Sequence, residues 1–148
     1  MSYKGVIANI QIKINIRMMN EKENEKIIYP ELSYKIIGFA FNVYNEVGFG
    51  LQEKYYQRML MIEFEKKNIC YKKEYFVELK YQDKIIGNYK LDFLVDNKII
   101  VELKVKPKIG YTHVKQVLAY LKATNLKLAI IIYFTKEGVK YRRILNTY

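Results

Sequence analysis

Polar and apolar positions recur along this chain with a period that changes from segment to segment. Residues 8–18 alternate strictly. Ala8, Ile10, Ile12, Ile14, Ile16 and Met18 fall on one side, and Asn9, Gln11, Lys13, Asn15 and Arg17 on the other, which predicts a strand. The charged run 20–26 reads as a solvated linker. Met18 and Met19 are alternative starts, which would make the segment before them an upstream addition; the two readings stay equally open. Pro30-Glu31 then opens a helix, with proline in the first turn and an acid beside it. Leu32, Ile36, Ala40, Val43 and Val47 form its apolar stripe.

Gly48-Phe49-Gly50 ends that helix, and a second is predicted from about Leu51 to Lys67. From Lys73 the period becomes two. Tyr75, Val77, Leu79 and Tyr81 alternate, Gln82-Asp83-Lys84 turns, and 85–95 and 99–105 give two further strands. A helix follows from about Thr112 to Thr124, ending near Asn125. Residues 128–134 read as a fully buried strand, and 139–145 as a closing one after Lys136-Glu137-Gly138. The order β-α-α-β-β-β-α-β-β predicts one mixed α/β layer structure over residues 28–148, preceded by an extension, residues 1–27.

Composition narrows the partners. Twenty-six Lys+Arg against 15 Asp+Glu leave a net charge of +11, large for 148 residues. Such a field favours polyanions, nucleic acid first and an anionic membrane surface second. Lysine outnumbers arginine, and Ile, Asn and Tyr are frequent, so an AT-rich coding sequence would raise the charge as well. Cys70 is the lone cysteine, which excludes an intramolecular disulfide and a thiolate metal cluster. With no signal-peptide pattern at the start, the expectation is a reducing cytoplasm. No apolar run approaches the length of a membrane span.

One stretch breaks the apolar pattern where it should be strongest. Tyr89-Lys-Leu-Asp92-Phe-Leu-Val-Asp-Asn-Lys-Ile-Ile-Val-Glu102-Leu-Lys104 plants two carboxylates and a lysine in runs otherwise built for a buried hairpin. Glu102 and Lys104 share a strand face. A two-residue turn at Asp96-Asn97 would set Asp92 against Val101 and point Glu102 away. A three-residue loop, Asp96-Asn97-Lys98, sets Val95 opposite Ile99 and Asp92 opposite Glu102, and that register or an equivalent bulge is the one predicted. Opposed like charges cost up to roughly 1 kcal/mol, and a divalent cation reverses that sign. Mg²⁺ takes hard oxygen ligands and commonly binds through one or two carboxylates plus water and phosphate; Mn²⁺ is the alternative. Lys104 would then orient or deprotonate the attacking water, or neutralise charge on the phosphorane. The plainer reading is a salt-bridged hairpin in which Lys104 pairs with Glu102.

A second pattern lies at the glycine turn. Gly50-x-x-Glu53-x-x-Tyr56 puts Glu53 and Tyr56 three apart on one helical face. By itself, a glutamate near a helix N-terminus does no more than stabilise the helix through its dipole. The motif resembles the signature of the GxxExxY proteins, a branch of the PD-(D/E)XK nuclease superfamily. The resemblance runs from about Ile28 to Ile144. It takes in Ile36-Ile37-Gly38, the Gly48–Tyr56 turn, Tyr89-x-Leu91-Asp92, Val101-Glu102-Leu103-Lys104 and His113-x-x-Gln116-x-x-x-Tyr120. It implies a restriction-endonuclease-like core, a central mixed sheet flanked by helices. It also implies Asp92 and Glu102 as metal ligands, Glu53 as an outer metal or water ligand, and Lys104 as the catalytic lysine. The chain departs from the pattern at Leu91, where the superfamily's naming proline stands. Phe49 stands where proline is frequent in the family, and Tyr44 where histidine is.

His113, Gln116 and Tyr120 lie three and four apart on one face of the helix after the hairpin. In nucleases similar to this chain a glutamine and a tyrosine at these places lie beside the metal and contact phosphate. Gln116, Tyr120 and His113 are therefore the candidate substrate-binding residues, although a lone helical histidine is more often a surface or capping residue. Lys106, Lys108, Lys115 and Lys122 would hold a phosphate backbone, or form a solvated face. Taken together, the sequence predicts a metal-dependent nuclease acting on nucleic acid, DNA before RNA. The rival is a non-catalytic nucleic-acid-binding module on the same fold. A homodimer or partner-binding subunit, docking through the N-terminal strand, is a third reading.

Overall fold

A computed structural model describes residues 28–107 and 110–148, with Tyr111 described for its backbone alone. The expected strand at 8–18 and the extension 1–27 lie outside the described residues. Residues 33–148 form one compact unit.

Helix α1 (Pro30–Val47) begins at the proline and buries Ile36, Phe39, Ala40 and Val43. α2 (Glu53–Lys66) starts two residues later than expected and buries Tyr56, Leu60 and Phe64. The delay has a backbone cause: Gly50 takes φ 124 and Gln52 is still extended, so the helix cannot begin before Glu53.

Five strands form a sheet in the order β1-β2-β3-β4-β5. β1 (Tyr71–Tyr81) and β2 (Lys84–Val95) are a long antiparallel hairpin. Its turn is Gln82-Asp83, both at positive φ, and Lys84 already pairs with Tyr81, so the turn is one residue shorter than expected. β3 (Ile99–Val105) pairs antiparallel with β2 and parallel with β4 (Leu128–Thr135); β5 (Gly138–Leu145) closes the sheet antiparallel to β4. The parallel step is spanned by α3 (Tyr111–Thr124), which ends with Asn125 in the left-handed region at φ 56.

Every residue of β4 is buried. Its neighbours explain why an unbroken apolar run was needed: Phe134 stacks on Tyr56 of α2, while Tyr133 touches His113 of α3. Helices thus cover both faces of the central strands. One layer holds Phe39, Phe64 and Phe93 in edge contacts. The other packs Leu91, Ile100, Ala129, Ile131, Tyr133 and Ile144 against Val117, Tyr120 and Leu121. Among the described residues no helix is long and apolar enough to cross a membrane.

Candidate active site

The loop between β2 and β3 sets the register on which the site depends. Asp96 and Asn97 both take positive φ, and the Lys98 N–H donates to the Val95 carbonyl at 3.0 Å. Val95 therefore faces Ile99, Leu94 faces Ile100 and Phe93 faces Val101, as the three-residue loop requires. There the backbone ladder stops. One step further, the side chains of Asp92 and Glu102 take its place. The Asp92 N–H donates to Glu102 Oε1 at 3.0 Å, and the Leu103 N–H donates to Asp92 Oδ2 at 2.9 Å. Two carboxylates have entered the gap where the strands part, each satisfying a backbone donor of the opposite strand.

The β1 side of Asp92 is irregular too. Glu74, between the pairs Lys73–Phe93 and Tyr75–Leu91, has φ 54. On either side of Asp92, β2 serves different layers. Tyr89 packs on Tyr120 of α3, and Phe93 packs on Phe64 of α2, although simple alternation would put both on one face. Asp92 thus sits at a local break in the strand, a place where a sheet re-aims a side chain.

The electrostatics of the centre follow from burial and like charge. Glu102 is 3% exposed, and its carboxyl is pushed up to about 8. Burial is the largest cause, then the charge of Asp92; the Asp92 backbone N–H and Lys104 oppose the rise. Glu53 is raised above its ordinary value by burial and then by Asp92, with Lys104 and Lys106 pulling the other way. The Tyr120 phenol is pushed up to about 12 by burial, Glu102 and Asp92, while a bond from the Gln116 side chain works against this. His113 is lowered by burial, then by Lys104 and Lys106. The charge of Lys104 reaches Glu53, Glu102 and His113 alike. Glu53, Glu102, His113 and Tyr120 thus lie within electrostatic reach of Lys104 or of the Asp92–Glu102 pair.

The glycine turn holds Glu53 in place. Gly48, at φ 67, donates to the Tyr44 carbonyl at 2.7 Å and accepts from the Tyr56 hydroxyl at 2.6 Å. The Tyr56 ring stacks on Phe134 at 4.3 Å. Tyr44 ties the end of α1 to β4 through its hydroxyl, 2.6 Å from the Thr135 carbonyl. Glu53 is therefore braced between turn and sheet, with Gln57 donating to its Oε1 at 3.5 Å. Tyr44, read from sequence as a departure from the motif, is one of these tethers. Tyr133 was also missed; the one signal available was a hydroxyl within an otherwise apolar buried run.

The donor set fits a divalent cation at the carboxylate pair. An acid raised first by burial and then by a facing carboxylate is favoured by a proton or a cation beside it, and both carboxylates offer hard oxygen donors. Among the described residues no group of three or more His, Cys, Asp or Glu side chains is clustered to hold a metal. Asp92 and Glu102 form the pair, and Glu53 lies within reach of the charge of Asp92.

No curated protein matches the chain. A crystal structure of SSO0001 superposes with a TM-score of 0.51 at 18% identity, covering 64% of this chain and 50% of that one. A crystal structure of an alkaline exonuclease from Laribacter hongkongensis matches with a TM-score of 0.46 at 13% identity, covering 63% and 54%. The chain spans about half the length of these two proteins. At such identities the likeness to SSO0001 is one of fold. A family model described as the PD-(D/E)XK nuclease superfamily matches residues 30–144, from the first residue of α1 to the last but one of β5. By that match, over a mixed five-stranded sheet flanked by helices, the chain belongs to the PD-(D/E)XK nuclease superfamily.

Proposed function

We propose that the chain is a metal-dependent nuclease that hydrolyses phosphodiester bonds of nucleic acid, DNA before RNA. The motif Gly50-x-x-Glu53-x-x-Tyr56 supports reading it as a member of the GxxExxY branch of its superfamily. The observation that carries the reading is the buried Asp92–Glu102 pair at the parting of β2 and β3, with Lys104 on the same strand face as Glu102. A fold that needed only a stable hairpin would place apolar residues there.

Asp92 and Glu102 would hold Mg²⁺ or Mn²⁺, which supplies positive charge against the phosphodiester and relieves the repulsion between the carboxylates. Lys104 brings its ammonium group to the reacting phosphate, where it orients the attacking water or offsets charge as the phosphorane forms. Glu53 accepts a hydrogen bond from that water. Gln116 and Tyr120, bonded to each other, and His113 in the next turn toward the start of α3 position the strand. The surplus of lysine and arginine draws the polyanion in.

The test is cleavage of linear, circular and single-stranded DNA, and of RNA, with Mg²⁺, with Mn²⁺ and with chelator. Glu102→Gln, Asp92→Asn and Lys104→Ala proteins run alongside. Metal-dependent cleavage should fall by a factor of about 10² or more in each variant. Absence of cleavage, with salt-sensitive binding equal in all four proteins, would leave the non-catalytic binding module.

A further inference from the structure

One polar contact near the centre has no part in holding the carboxylates. The hydroxyl of Tyr133, a fully buried residue of β4, lies 3.1 Å from Nδ1 of His113 on α3, with the rings 5.8 Å apart. Among the described residues this is the one hydrogen bond made by the Tyr133 hydroxyl. A buried phenol must place its proton on an acceptor or pay the desolvation penalty of an unsatisfied donor. The acceptor on offer is the imidazole nitrogen. Nδ1 accepts only when it carries no proton, so the proton of the neutral ring sits on Nε2.

The surroundings select what Nε2–H can bind. Lys104 pairs with Tyr133 across β3 and β4. The charges of Lys104 and Lys106 act on His113, and that of Arg142, on β5, acts on Tyr133. His113 is kept neutral first by burial and then by the two lysines, as the Tyr133 bond requires. They also make an anion the fitting acceptor for an outward N–H. Lys104 belongs at once to this arc and to the carboxylate centre, so an anion here would lie beside the reacting phosphate.

We propose that Tyr133 is a positioning residue: its hydroxyl donates to Nδ1 of His113 and fixes the Nε2–H tautomer. His113 then donates from Nε2 to a phosphate of the substrate strand next to the scissile one, with Lys106 and Arg142 flanking it. The proposal rests on the nuclease reading for its substrate and goes beyond it in assigning Tyr133, Arg142 and the tautomer.

The chain has a single histidine, so nitrogen NMR of the labelled imidazole reads the tautomer directly. The wild type should show Nε2–H, and Tyr133→Phe, which keeps the ring in the core, should show a mixture. With a labelled duplex oligonucleotide and Mg²⁺, Tyr133→Phe and His113→Ala should each raise KM about tenfold at nearly constant kcat. The double variant should be no worse than His113→Ala, because Tyr133 acts through His113. An Nδ1–H tautomer in the wild type, a tautomer unchanged by Tyr133→Phe, or additive losses would overturn the proposal. If the wild type cleaves nothing, the nuclease reading fails separately. The Kd for the same duplex in Ca²⁺ then decides: about tenfold weaker binding by both variants sustains the subsite, and equal binding overturns it.

Discussion

At the scale of single residues, the chain's most costly feature is Glu102, a carboxyl almost wholly buried against another. Its folded value of about 8 stands far above the ordinary 4.5. Between those values the folded metal-free protein keeps a proton that the unfolded chain releases. The stability this contributes is full below 4.5 and is lost as pH rises through about 8. His113 is lowered, so it acts in the opposite sense, and only as pH falls through 6.5. Glu53 is raised as well and acts in the same sense as Glu102, so the window up to about pH 8 belongs to the buried acids, Glu102 foremost. In chelator the wild type should lose stability across it, read as a melting temperature that falls as pH rises. Glu102→Gln should flatten that slope, and Mg²⁺ should restore stability most at the alkaline end. A melting temperature that rises with pH in chelator, or a Gln variant with the wild-type slope, would contradict this account.

At the scale of elements, what could be read in the sequence was set by how local its causes are. The bounds of β3, and of β2 to within one residue, followed from apolar runs bounded by polar turns. The register between them followed from asking which loop length lets two carboxylates face. That argument needed nothing beyond the period of a strand. Tethers made across the chain left no such trace. Tyr44 reaches Thr135, Tyr56 reaches back to Gly48, and Tyr133 meets His113; each hydroxyl is an ordinary aromatic position until the fold closes. The alternation of Tyr75, Val77, Leu79 and Tyr81 was also an incomplete guide. Val77 and Leu79 are half-buried, but Tyr75 and Tyr81 stay exposed, and a bulge interrupts the pairing between Leu79 and Lys80.

The glycine turn gives the clearest test at this scale. Gly50 has open space around it, so an added Cβ meets nothing, and only its φ of 124 resists substitution. Gly50→Ala should therefore cost about 1–3 kcal/mol by backbone strain alone. Tyr56→Phe removes a 2.6 Å bond to Gly48 while keeping the stack on Phe134, at about 1 kcal/mol. Both loosen the start of α2, where Glu53 sits, so both should lower kcat more than they raise KM. Urea midpoints and steady-state kinetics on the same preparations check this. A Gly50→Ala protein with the wild-type midpoint and kcat would show that the turn does not brace Glu53.

At the scale of the whole molecule, the question is whether the +11 charge is an interface or a by-product of a lysine-rich composition. The two make different predictions about salt. An interface that neutralises phosphates releases counterions, so log K falls with log salt at a slope near −0.9 per phosphate on duplex DNA. Each lysine in contact contributes its own share, and each lysine elsewhere contributes little. Lys106 is exposed, and its charge acts on both Glu53 and His113. Lys35 is also exposed, but it lies toward the far end of α1 from the glycine turn that carries Glu53. Lys106→Ala should reduce the slope by about one, while Lys35→Ala should leave it nearly unchanged. Anisotropy titrations of a labelled duplex at several salt concentrations, in Ca²⁺, measure both. Equal small effects at the two positions would mean that the charge acts as a diffuse field and that binding does not converge on the carboxylate centre. A loss confined to Lys106 would tie the basic surplus to the surface beside the Asp92–Glu102 pair and Lys104.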